Sequence, residues 1–115
     1  MTVPSITHIT SRTEWQAAQA QGYYEAPSLH SEGFIHCSTL DQVAATANRY
    51  YRGQHDLVLL YIDPTLLEPE MIYEEAPSVG EWFPHLYGRL NLDAVISVNS
   101  FEPDADGVFH SPPEV

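Results

Sequence analysis

The pentapeptide Phe34-Ile35-His36-Cys37-Ser38 alternates in character. On an extended strand Phe34, His36 and Ser38 share one face, while Ile35 and Cys37 turn to the other. The second face is what a core wants, since a free cysteine usually packs as a small hydrophobe. Two readings stay open for His36 and Ser38: a structural polar pair with a helix cap, or a pair facing a ligand. Ser38 also precedes a second helix, whose unpaired N–H groups favour an anion.

Other candidates are spread along the chain. His8 lies between Thr7 and Ile9 in a β-branched run, as a structural hydrogen-bonding group or a ligand-facing one, and it gains weight if its strand neighbours that of His36. Phe83 to Asn91, FPHLYGRLN, places His85, Tyr87, Arg89 and Asn91 at alternate positions around Gly88. Aromatic surface with a few placed polar groups suits a small-ligand pocket, and equally suits a loop that closes a core. Arg49 and Arg52 end the second helix, where the dipole alone favours cations. With Arg89 they are also the natural phosphate anchors.

Some chemistries find little footing. His36 and Cys37 are adjacent and face apart, so they do not readily share a metal or form a nucleophile–base pair. The six histidines are scattered and Cys37 is the single cysteine, so a metal site would have to be assembled by folding. A triad built on Ser38 lacks a strained nucleophile turn. Glycine-rich dinucleotide, Walker A, H-E-x-x-H and G-x-S-x-G patterns are absent from the sequence.

The elements that must position these residues are readable in part. A strand is expected over residues 5–10. A helix follows, capped by Ser11 with Glu14 and stopped at Gly22. Residues 23–33 read as loop, and residues 34–38 as a second strand. Thr39 with Gln42 suggests another capping box, opening a helix that ends near Gly53. The unbroken apolar run Leu57 to Ile62 predicts a central strand. Residues 71–73 suggest a strand, residues 76–92 a long loop, and residues 94–98 a strand extended toward Glu102. Residues 103–115 read as a turn and a loosely ordered tail around a single domain spanning 1–115.

Composition limits the partners. The 115 residues carry sixteen carboxylates, four arginines and no lysine, a formal net charge of -12. Such a surface repels extended nucleic acid and anionic membranes, yet one arginine in a cleft can still hold a small phosphorylated ligand. Lack of lysine removes Schiff-base chemistry. Without a long apolar run, a signal-like start or a disulfide framework, the expected location is cytoplasmic.

Several motifs together resemble the bacterial family catalogued as domain of unknown function 952. They are His8-Ile9-Thr10 with Trp15, Gly33 to Ser38, Asn48 to Gly53, Leu57 to Leu60, and Phe83 to Asn91, across roughly residues 6–102. The resemblance implies an α+β fold similar to ADP-ribosyltransferases and RNA 2′-phosphotransferases, with two small, mostly antiparallel sheets around a cleft and flanking helices. It implies that His8 holds the ribose or adenosine portion of NAD, and that His36 echoes a second histidine of the phosphotransferases. Glu102 is the candidate for the late glutamate of the transferases.

The expected function is thus a cleft for a nucleotide or an ADP-ribose-like ligand. His8 and His36 are the catalytic candidates; Ser38, Arg49, Arg52, His85, Tyr87 and Asn91 are the ligand-binding ones. The alternatives are an NAD-dependent ADP-ribosyl or 2′-phosphate transferase-like enzyme, a metal-dependent hydrolase, and a non-catalytic interaction protein. A carboxylate within reach of His8 and His36 would favour the transferase.

Overall fold

The computed structural model describes residues 4–114. Its elements are β1 (Ile6–Ser11), α1 (Arg12–Gln21), β2 (Tyr23–Tyr24), α2 (Pro27–Ser31), β3 (Ile35–His36), β4 (Ser38–Thr39), α3 (Val43–Tyr50), β5 (Leu57–Ile62), β6 (Glu70–Ala76), β7 (Glu81–Tyr87), β8 (Leu90–Asn91) and β9 (Val95–Ser100). Two single 3-10 turns, Pro64–Leu66 and Leu92–Ala94, link the later strands. The class is α+β, and every strand pairing is antiparallel. Where two sheets were expected, the strands form three: a four-stranded sheet ordered β4-β1-β5-β9, a three-stranded sheet ordered β3-β7-β6, and the pair β2-β8.

β5 is the inner strand that its apolarity predicts, with all six residues buried. Its two faces serve different cores. Val58, Leu60 and Ile62 pack with Trp15, Ala18, Ile35, Leu86 and Leu90. Leu57, Leu59 and Tyr61 pack with Val43, Ala47, Phe101 and Phe109. Period-two alternation thus lets one strand bury both its sides.

α1 starts and stops as its sequence dictates. Ser11 Oγ accepts the Glu14 N–H at 3.0 Å, and Gly22 closes the helix at φ 94°. That left-handed geometry is costly for a residue with a Cβ. α3 begins later than expected. Ser38 and Thr39 are drawn into a ladder with Ile6 and Thr7, and the helix starts only at Val43. Gln42 still makes half of the box, its Oε1 accepting the Thr39 N–H at 3.0 Å.

Four further expectations need correction. Residues 23–33 are not plain loop, since they hold β2 and the short helix α2, whose first residue is Pro27. The strand expected over residues 34–38 breaks at Cys37, so β3 and β4 belong to different sheets. Residues 76–92 contain β7, which pairs along its whole length with β6. Pro84 is tolerated there because its carbonyl accepts from Cys37, so its missing N–H also falls on the side where β3 ends. The tail is tied down rather than loose: Phe109 is buried against Phe101, and Tyr61 donates to the Pro113 carbonyl. Among the described residues no helix is long and apolar enough to cross a membrane.

Candidate functional site

β1 brings His8 beside the end of β3, as sequence reasoning required for the two histidines to converge. The His8 ring is nine-tenths buried, and both its nitrogens are occupied. Nδ1 lies 2.5 Å from the His36 carbonyl oxygen and Nε2 lies 2.8 Å from the Tyr24 hydroxyl. A carbonyl only accepts, so Nδ1 carries the proton. Nε2 of the neutral ring then accepts from Tyr24. Burial pushes the His8 pKa down to about 4, against the raising effect of the His36 carbonyl. At neutral pH the ring is therefore uncharged. Tyr24 continues the network to Thr10 Oγ1 at 3.1 Å, and Thr10 lies 3.5 Å from Glu14. Burial raises the Tyr24 pKa, and the charge of Glu14 adds to the effect.

A second cluster sits on the three-stranded sheet. Register pairs His36 directly with His85 across β3 and β7, and their rings meet edge to face at 5.3 Å between centroids. Phe34 stacks on His85 at 4.0 Å and meets His36 edge-on at 4.7 Å. Each imidazole has a carboxylate: His36 Nε2 lies 3.1 Å from Glu32, and His85 Nδ1 lies 2.8 Å from Glu74. Tyr87 donates to the same Glu74 oxygen. The Tyr87 bond, and then His85, hold the Glu74 carboxyl below the usual carboxylate range, while that bond raises the Tyr87 pKa.

Both clusters open on one cleft of about 840 Å³, lined from both larger sheets and from α1 and α3. His8, His36, Ser38, Arg49 and His85 all contribute to its wall. Its charge is uneven, since Glu14, Glu32 and Glu75 line it with Arg49 as the one guanidinium among the described residues. Arg49 is solvent-exposed and packs over the Tyr50 ring, 5.8 Å from its centroid. Ser38 is buried, its hydroxyl 3.4 Å from Thr46 and its carbonyl accepting from Thr7.

The remaining candidates stand elsewhere. Arg52 is exposed beyond α3 and does not line the cleft. Tyr87 stays at its edge, 5.6 Å from Phe34 between ring centroids. Asn91 is a loop clamp, accepting the Glu68 N–H and donating to the Leu66 carbonyl and Asp93. Arg89 pairs with Glu25 and lies over Tyr23. Glu102 bonds His55 and the Asp56 N–H, away from the cleft. Sequence reasoning missed Tyr24, Thr10, Glu32 and Glu74. The spacing Glu32 to His36 offers a local signal, but the pairing of Glu74 with His85 depends on a strand that the sequence hides. Among the described residues no group of three or more His, Cys, Asp or Glu is placed to hold a metal ion.

Comparison with known proteins adds a family to this geometry. A family model described as "Protein of unknown function (DUF952)" matches residues 9–98. The chain belongs to the DUF952 family. The matched span of this DUF952 chain begins one residue after His8 and includes His36, Ser38, Arg49 and His85. No curated protein matches it. A crystal structure of protein CC0527 from Caulobacter crescentus is 39% identical with a TM-score of 0.84, covering 92% of this chain and 93% of that one. The solution NMR structure of CC0527 is also 39% identical, with a TM-score of 0.80, covering 92% of this chain and 91% of that one.

Proposed function

We propose that the cleft binds a small nucleotide or ADP-ribose-like molecule. The observation that carries this reading is the convergence of His8, His36, Ser38, Arg49 and His85 on one cavity of about 840 Å³. That volume lies within the ~300–1,000 Å³ range of small-ligand sites. Apolar and aromatic surface from Phe34, Tyr50, Tyr51 and Phe83 would receive a flat base. Arg49 would take a phosphate, being the cation on the wall. His8 acts as a positioning residue in this reading, because its neutral ring is already held from both nitrogens.

Calorimetric titration with AMP, ADP-ribose and NAD tests the proposal. Saturable binding of at least one is expected, weakened roughly tenfold in Arg49→Ala, as for the loss of one charge-assisted hydrogen bond. Absence of binding by all three overturns it.

A second reading is a transferase of the ADP-ribosyl type, with the fold relationship that this entails. One observation favours it: carboxylates do stand near both histidines, Glu14 through Tyr24 and Thr10, and Glu32 directly on His36. A carboxylate near the ribose would offset positive charge developing at its anomeric carbon. Release of nicotinamide from NAD, lost in Glu32→Gln or Glu14→Gln, is the outcome this reading requires.

A further inference from the structure

We propose that Glu74 fixes His85 as the tautomer with a bare Nε2, and that this nitrogen receives a ligand hydroxyl of the sugar or polyol class. The second half rests on the binding reading above; the first half does not.

His85 is nine-tenths buried on the cleft wall. Its Nδ1 faces Glu74 at 2.8 Å, and a carboxylate only accepts, so the proton sits on Nδ1. Tyr87 donates to the same carboxylate oxygen and holds it in place. Phe34 covers one face of the ring by stacking. What remains is the edge bearing Nε2, which has no protein partner among the described residues. In the neutral ring that nitrogen is a lone-pair acceptor in a partly desolvated wall, where hydrogen bonds discriminate strongly. An anionic group would meet a lone pair, with Glu32 and Glu75 on the same cleft wall. A neutral hydroxyl needs no cation and supplies the missing donor. The arrangement therefore reads the sugar of a ligand, whereas Arg49 reads its phosphate.

Two measurements on the full-length protein decide this. Long-range proton–nitrogen correlation spectra at mildly alkaline pH report which ring nitrogen of His85 is protonated. The expected result is a protonated Nδ1 and a bare Nε2, with the proton redistributed toward Nε2 in Glu74→Gln. A wild-type proton on Nε2 overturns the proposal outright. Calorimetry then compares AMP with 2′-deoxy-AMP and 3′-deoxy-AMP. AMP should bind roughly three- to tenfold tighter than at least one deoxy form. His85→Phe should erase that difference, with AMP then binding no tighter than the deoxy form. Equal binding of all three by the wild type sinks the hydroxyl role and leaves the nucleotide reading standing. Failure of all three to bind removes the hydroxyl role as read on AMP, and the nucleotide reading falls with it only when ADP-ribose and NAD fail too, while the tautomer is still settled by the spectra.

Discussion

The His8 imidazole and the His36 carbonyl oxygen lie 2.5 Å apart, so one ring joins a strand of the four-stranded sheet to a strand of the three-stranded sheet. The bond fixes the distance between the cleft's two largest walls. Protonation would keep that bond, but it would put a charge on a buried ring and take from Nε2 the lone pair that accepts from Tyr24, which makes this point of the fold sensitive to acid.

The pH dependence follows from the direction of that shift. The His8 pKa falls from 6.5 to about 4 on folding, so the unfolded chain binds more protons between those values. Its contribution is fully present above about 6.5 and is lost as pH falls toward 4. The shift corresponds to about 2–4 kcal/mol. Urea melts from pH 7 downward should show stability declining in this window, and His8→Gln should decline less steeply. Parallel slopes for the two proteins would contradict the assignment.

Asn91 and Arg89 separate fold from site. Asn91→Ala removes three side-chain hydrogen bonds around the Leu66 turn, and its thermal midpoint should fall. Nucleotide titrations of Asn91→Ala and Arg89→Ala should match the wild type, unlike those of Arg49→Ala. A binding defect in either would mean that the cleft extends toward β8.

The segment after β9 should prove indispensable. Phe109 packs on Phe101 at 4.9 Å between centroids, and Asn48 bonds both its N–H and its carbonyl. Phe109→Ala should cost about 3–5 kcal/mol. Asn48→Ala, which orphans two main-chain groups, should cost about 1–3 kcal/mol. Chemical denaturation measures both, and a change under 1 kcal/mol for Phe109→Ala would mean the tail is loosely held after all.

Cys37 should behave as packing. The thiol is buried, and burial alone pushes its pKa up. A thiol-reactive disulfide reagent should label the native protein no faster than the protein opens, and should label it at once in denaturant. Rapid labelling under native conditions would restore the nucleophile that residue parity argues against.

The sequence was most legible where local chemistry and tertiary demand agree. Ser11, Glu14 and Gly22 mark α1 at both ends because caps act within a few residues. Leu57 to Ile62 announced an inner strand because both its sides are buried. β7 stayed hidden because Pro84 breaks the pattern of a paired strand, and the register that excuses it is set by distant Cys37. The strand at residues 34–38 looked continuous since nothing in Phe34 to Ser38 signals a change of sheet. The histidines were visible as candidates by type. Their partners were only partly so, because Glu74 reaches His85 across a hairpin and Tyr24 reaches His8 from a segment that reads as loop.

Cys37 is the single residue between β3 and β4, and so the whole length of chain that passes there from one sheet to the other. Side-chain direction reverses with every residue of extended chain. Adding or removing one residue here would exchange inward and outward positions for everything on one side of it. Either His36 would leave its place opposite His85, or Ser38 would lose its ladder with Thr7. The constraint on this stretch is thus one of length as much as of composition. Relatives that keep the cleft should tolerate substitution at position 37 by another small residue, but should show no insertion or deletion there.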